Sequence, residues 1–448
     1  MKLIIRTIKD ALKTPGFSLL YIGGVAVTIA FTVVYGIILY GQLGPVYPEY
    51  NRTNTYYIDT TIAKDGSSIG NTGLGLAFID EFLRDSIPSI ESMTAMTRYE
   101  SGAKMVETNG RCPEFHVNAH GVEPSFFNFY KYEFLAGEPF SRADFEAGDK
   151  VAVISDKVAR RLFDSPDEAI GESMSIDHVR FRIAGVFREG SALCPDSYGE
   201  VFYPYSILAE KSKALDANDA WHAKYMGNFK AIIKAKSGKG DELRKSINEI
   251  CRRINLVDTT AAKFYIPFIR SHTEHVLSEN RIDYKKDSYE VETAKTPLQL
   301  CKSLLIGLFV VLIIPALNIS GLISARMDRM RADIGVRRCF GAPRYRLMAM
   351  VMNENLILTV IGGFAGMIAA WIMILCAGDR LLKFMPLELD WGISINRSAS
   401  IITGEMAFAP VLFIAVFLIC LILNTISAWI PARIAMHRQI TESINSKR

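Results

Sequence analysis

The chain has 448 residues, 50% of them hydrophobic and 22% charged, with a formal net charge of +4. That apolar fraction excludes an ordinary soluble enzyme, and the charged fraction excludes a chain lying wholly in the bilayer, so an embedded part and an aqueous domain are both expected. The near-balanced charge gives no basis for a nucleic-acid partner.

Residues 1–16 read as a cytoplasmic amphipathic helix. At helical pitch Ile4, Ile5, Ile8, Ala11 and Leu12 share one face and Lys2, Arg6, Lys9 and Lys13 the opposite one. The apolar face is expected to lie in the lipid membrane with the lysines toward headgroups, until Pro15-Gly16 breaks the helix. Residues 17–43 form the first predicted span. The charge-free stretch is longer than the roughly 7 to 15 residues of a signal-peptide core, and no A-x-A precedes Gly44-Pro45, so it reads as an uncleaved anchor. Gly24, Thr28, Thr32 and Gly36 recur four apart, a spacing that lets helices approach closely.

Residues 44–296 form a large polar segment of mixed α+β character. Val151–Ile154 is a short apolar strand, Ser155 suits the N-cap of an amphipathic helix from Asp156 to Phe163, and HVRFRIAGVF alternates as a half-buried strand does. Asp241 is expected to cap the helix DELRKSINEICRRI, and the polar run from Asp283 to Lys295 reads as a linker before Pro297 opens a stalk.

Three more apolar stretches follow: residues 297–325, 355–378 and 406–430. Each reaches the roughly 20 residues a helix needs to cross the bilayer, giving four transmembrane helices. The third carries Gly362, Gly366 and Ala370 four apart. Both small-residue stripes fit packing within the chain or self-association equally well. No ionisable side chain is expected at depth, only polar groups such as Asn318 and Asn424, which speaks against an ion-driven carrier.

Basic residues concentrate in the N-terminal tail, in the connection 326–354 and in the tail 431–448, whereas the connection 379–405 holds only Arg380, Lys383 and Arg397. Both termini are therefore expected in the cytoplasm, with residues 44–296 and the short loop 379–405 outside. Of seven cysteines, Cys112, Cys194 and Cys251 fall in the external segment, where an odd number leaves at least one thiol free. No C-x-x-C or H-E-x-x-H occurs, and His116, His120, His178, His222, His272 and His275 form no ligand or triad pattern. The glycine-rich pieces GSSIGNTGLG and SGKGD lack the P-loop lysine context, so neither catalysis nor a cofactor is expected in this chain.

The connection 326–354 is the most informative segment. A short helix from about Met330 to Phe340 is expected to stop at Gly341, with a second helix starting at Pro343 and running into the third span. Arg331, Asp333, Ile334, Gly335, Val336, Arg337, Arg338, Gly341 and Ala342 resemble the R-x-E-I-G-x-x-R-A-x-G-A signature of the FtsX-like permease domain, with Asp333 in place of Glu and Cys339 in place of Ala. Pro431-Ala432-Arg433 with Ala435 is similar to that family's closing P-A-x-x-A, although its usual continuation is replaced by Gln439–Ile444. The segments Gly121–Phe127, Gly137–Ser141, Val151–Ser155, Ala159–Phe163, Ala169–Glu172 and Ile183–Phe187 follow the order of a MacB-type periplasmic core.

The resemblance implies an inner-membrane, multi-pass permease of the MacB/FtsX group whose segment Arg331–Gly341 is a coupling helix seated on a cytoplasmic ABC ATPase. It implies that ATP and Mg²⁺ are bound by that separate subunit, since the chain begins almost at the membrane, and that a second permease subunit, identical or different, completes a dimer. Two functions follow from it: export by mechanotransmission, with a periplasmic adaptor and an outer-membrane channel as partners, or activation of a periplasmic cell-wall hydrolase without transport. The size of the external segment favours export.

Overall fold

The computed structural model describes residues 15–381 apart from 66–67, 85, 99–103, 109–111, 209–222, 258–262, 278–301, 303–335 and 338, and then residues 402–437 apart from 408–409. Residues 1–14 of the expected amphipathic helix 1–16, nearly all of the second span and the linker 283–295 lie outside the described residues. Two compact units divide the rest, one drawn chiefly from residues between Tyr40 and Leu300 and the other from the helices that flank it in sequence.

The helical unit begins with α1 (Pro15–Leu43), a single helix of 29 residues whose last turn, from Tyr40 onward, belongs to the aqueous unit. Three described helices are long and apolar enough to cross a membrane: α1 and the two that follow the aqueous unit in sequence. Pro15 opens α1, as expected where the first amide needs no acceptor. Tyr21, Val25, Ile29 and Val33 are buried, and Leu20, Val27 and Phe31 are exposed, so one stripe carries the contacts.

The aqueous unit is α+β with one mixed sheet. Its strands in chain order are β1 (Thr55–Ile58), β2 (Thr61–Asp65), β3 (Ser68–Leu74), β4 (Ile90–Thr97), β5 (Lys104–Thr108), β6 (Cys112–Val117) and β7 (Ala119–Val122). Then come α2 (Ser125–Phe129), β8 (Phe134–Gly137), α3 (Arg142–Ala147), β9 (Val151–Ser155), α4 (Asp156–Leu162), β10 (Ser173–Ile176), β11 (Val179–Phe187) and β12 (Val201–Pro204). The unit ends with β13 (Met226–Gly227), β14 (Phe229–Ala235), α5 (Gly240–Val257), β15 (Lys263–Tyr265), β16 (Arg270–Ser271) and α6 (His272–Leu277).

The main path through the sheet runs β15-β2-β3-β14-β4-β7-β12-β9-β11-β10-β5-β6, with β1 joining at β14. β9 pairs in parallel with β11 and β7 with β12; the other pairs are antiparallel. A parallel pair needs a crossover, and α4 lies within the one between β9 and β11. Every residue of β9 is buried, which suits its unbroken apolar run between two neighbours. The Ser155 hydroxyl accepts from the Val158 amide at 3.3 Å, capping α4, whose buried face is Val158, Ala159 and Leu162. An aromatic layer of Phe126, Phe127, Phe140, Phe187 and Phe202 fills the core beside β12, with ring centroids 5.1 to 6.0 Å apart where Phe126 and Phe127 meet Phe202.

Asp241 is not the cap of α5. The helix starts at Gly240, and the Lys239 carbonyl takes the Leu243 amide at 2.9 Å, so Asp241 stands in the first turn where its charge complements the amide end of the helix. Gly240 is there because Tyr56 occupies the place of a side chain: a Cβ would lie 1.7 Å from the phenol oxygen. Gly240→Ala is expected to displace the Tyr56 ring from its stack under Arg244 and to cost about 1–2 kcal/mol, read as a lower melting temperature of the aqueous unit.

Candidate functional site

The cytoplasmic connection is described from Val336 onward. Arg331, Asp333, Ile334, Gly335 and Arg338 lie outside the described residues, while Val336 and Arg337 occupy a helical turn. The Phe340 amide donates to the Val336 carbonyl at 3.1 Å and the Ala342 amide to the Arg337 carbonyl at 3.0 Å. With Gly341 at φ +81°, the Ala342 bond is the six-to-one bond of a Schellman stop, in which a left-handed residue lets the chain satisfy the last carbonyls. The next helix, α7 (Arg344–Leu381), starts at once, the Pro343 carbonyl accepting from Arg346 and Leu347. The turn leaves Val336, Phe340 and Tyr345 at 50%, 87% and 73% exposure, and Arg337 reaches back to the Met350 sulfur at 3.2 Å. A rigid, capped turn thus presents apolar and aromatic side chains beside a guanidinium.

Below this turn, α1, α7 and α8 (Pro410–His437) pack through glycine. A Cβ on Gly366 would lie 2.6 Å from the Ala26 carbonyl oxygen, and one on Gly362 would lie 2.9 Å from Val25. Gly363, which the four-residue spacing misses, holds the Phe417 ring of α8, and Gly36 faces Leu412. The α1 stripe divides. Thr28 and Thr32 are buried and donate to the Gly24 and Thr28 carbonyls at 2.7 and 2.8 Å, but Gly24 is exposed and nothing lies within 4 Å of its Cβ position. Because a span is apolar all round, spacing alone does not fix its rotation; the Tyr21 hydroxyl does, meeting Asn355 and, at 2.9 Å, Thr359 of α7. Glu354, next to the expected edge of the third span, lies within α7 and is buried.

Two clusters in the aqueous unit had no sequence signal. In the first, Asp196 accepts from Lys230 at 2.6 Å and pairs with His275 at 2.8 Å, all three largely buried, and the His275 ring stacks on Tyr57 with centroids 4.3 Å apart. Burial alone would raise Asp196, yet the cations beside it hold its carboxyl far below the usual carboxylate range. In the second, the last turn of α1 and Gly44 meet Arg52, His272 and Cys194. Cys194 and Cys251 are buried free thiols, and burial pushes Cys251 up to about 12. These partners are separated by up to 230 residues, beyond the reach of any spacing rule.

An α+β domain and apolar helices in one chain, with a capped exposed turn between two of the spans read from the sequence, are features of a membrane-anchored protein with an aqueous domain. Residues 18–250 match the MacB-like periplasmic core domain and residues 305–440 the FtsX-like permease C-terminal family. The chain belongs to the family of MacB/FtsX-like ABC transporter permeases. Among relatives, the uncharacterized ABC transporter permease YknZ of Bacillus subtilis is 19% identical over 62% of this chain and 62% of its own length. The pyoverdine export ATP-binding/permease protein PvdT of Pseudomonas entomophila is 23% identical over 69% of this chain, and the macrolide export ATP-binding/permease protein MacB of Bdellovibrio bacteriovorus 22% over 70%. The match spans 43% and 48% of those two proteins. The solved periplasmic region of MacB from Actinobacillus actinomycetemcomitans is similar at 16% identity and a TM-score of 0.35, over 49% of this chain and 89% of that one. The extracellular domain of the ABC-type transporter YknZ from Gram-positive bacteria gives 15% and 0.33, over 47% and 98%.

Proposed function

We propose that this chain is the permease subunit of an ABC transporter that works by mechanotransmission, coupling ATP hydrolysis by a separate ATPase to export of a peptide, drug, toxin or lipoprotein across the cell envelope. The observation that carries the reading is the joint presence, in one chain, of a MacB-like core and an FtsX-like permease segment, supported by relatives named for pyoverdine and macrolide export. In this reading the protein sits in the inner membrane with both termini cytoplasmic and its large domain periplasmic. The turn ending at Gly341 docks on the ATPase, which binds ATP and Mg²⁺, and a second permease subunit completes the dimer. A periplasmic adaptor and an outer-membrane channel receive the cargo.

The match of residues 305–440 to the FtsX-like family also supports a second reading, a non-transporting subunit that switches on a periplasmic cell-wall hydrolase. Gentle extraction of the tagged protein from its native membrane, with mass spectrometry of what accompanies it, separates the two. An ATPase with an adaptor supports export, an ATPase with a peptidoglycan hydrolase supports signalling, and the absence of any ATPase removes both. Gly335→Leu and Arg338→Glu are expected to leave the chain folded while reducing the ATP-dependent output of the complex about tenfold, as loss of one interface anchor does. Unchanged output in both variants would count against the docking role.

A further inference from the structure

A helix ends with carbonyls that have no partner within it, and the end carries partial negative charge. At the end of α1 these carbonyls are met by side chains from distant parts of the aqueous unit. Arg52 Nη1 donates to the Gly41 carbonyl at 2.9 Å and to the Gly44 carbonyl, just past the helix, at 2.5 Å. Its Nε donates to Glu49 at 2.8 Å and its Nη2 to the Cys194 sulfur at 3.0 Å, while Glu49 also accepts from Ser197 at 2.6 Å. Burial opposes the guanidinium's charge, but Glu49 beside it outweighs that and strengthens its hold on the proton. The Gln42 carbonyl lies 2.9 Å from His272 Nε2, and His272 Nδ1 lies 3.1 Å from the Tyr57 hydroxyl. A neutral imidazole with its proton on Nε2 satisfies both: it donates to the carbonyl and accepts from the phenol.

The placement of the two residues gives this cluster its interest. Arg52 lies on the segment leading out of the first span, and His272 begins α6, the last described element before the chain returns toward the second span. The arrangement therefore ties the outgoing and returning segments to one set of backbone atoms. Arg52, His272, Gln42, Glu49, Cys194, Ser197 and Tyr57 are buried, so water competes little for these bonds. We propose that Arg52 and His272 are positioning residues that grip the final turn of α1 and deliver its displacement to both ends of the aqueous domain. This rests on the mechanotransmission reading and names the residues through which the stroke enters the domain. Without the grip, motion of the span is absorbed by the residues after Leu43.

The test uses the whole complex, purified with its ATPase in lipid nanodiscs. Hydrogen exchange followed by mass spectrometry is recorded with and without ATP, alongside ATP hydrolysis. In the wild type, ATP is expected to change exchange in residues 52–58 and 268–277. His272→Leu removes both bonds and is expected to shrink that ATP-dependent difference about tenfold, within the range for two lost buried hydrogen bonds, with hydrolysis unchanged. His272→Gln, whose amide donates and accepts, is expected to restore it, an outcome that a packing role would not give. If His272→Leu responds to ATP as the wild type does, or if His272→Gln is as defective as His272→Leu, the grip is overturned while the mechanotransmission reading stands. If the wild-type complex hydrolyses ATP with no change in the aqueous domain, the mechanotransmission reading itself falls and the grip with it.

Discussion

Gly366→Leu is expected to separate α1 from α7 and to destabilise the helical unit by at least about 3 kcal/mol, the upper range for overpacking a tight contact. The atoms that a side chain would meet are backbone, the Ala26 carbonyl oxygen at 2.6 Å and its Cα at 3.0 Å, so no rotamer change relieves the clash. In a bilayer the helices are held by close packing and buried polar contacts, and moving α1 outward strips both, including the Tyr21 bonds to Asn355 and Thr359. The result is read as a lower yield of monodisperse protein and a lower melting temperature in detergent. Gly24→Leu is the control. Nothing lies within 4 Å of its Cβ position, so it is expected to change stability by no more than about 0.5 kcal/mol. If Gly24→Leu instead disrupts assembly of otherwise folded chains, the exposed face of α1 is a surface for self-association.

Asp196→Ala is expected to cost about 3–5 kcal/mol, because it leaves Lys230 and His275 buried without their counter-ion. For a domain of this size that corresponds to a melting point about 10 °C lower. The variant also has a pH signature. Burial works against a charge on His275, but Asp196, followed by Asp59, outweighs it, so its folded value lies above the ordinary 6.5. The stabilisation is then complete below pH 6.5 and declines as pH rises through the higher folded value. His272 has the opposite sign: burial, the largest cause, lowers it, so acidification below 6.5 opposes folding there. Melting curves between pH 6 and 9 are expected to show the wild type losing stability with rising pH and Asp196→Ala losing that slope. Parallel slopes would remove His275 as its source.

Elements governed by contacts a few residues apart were legible. Ser155 before an apolar helix face predicts the cap of α4, and Val151–Ile154 predicts a short apolar strand, which the structure buries at every residue. Gly341 before Ala342-Pro343 predicts a helix stop, realised as a left-handed residue. Asp241 misled because the helix begins one residue earlier, at Gly240, a residue whose lack of a side chain makes room for Tyr56 nearly two hundred positions away.

The sequence alone determined that this protein has an aqueous α+β domain and apolar helices, because helix and strand periodicity, span length and turn chemistry are local properties of the chain. Only the tertiary structure decided which face of α1 turns inward, which carbonyls at its end are gripped, and that Asp196, Lys230 and His275 form one ionic cluster. Those outcomes depend on residues distant in sequence arriving at the same place, and a spacing of four residues on a uniformly apolar helix, or a lone histidine in a polar segment, carries no record of its eventual neighbour.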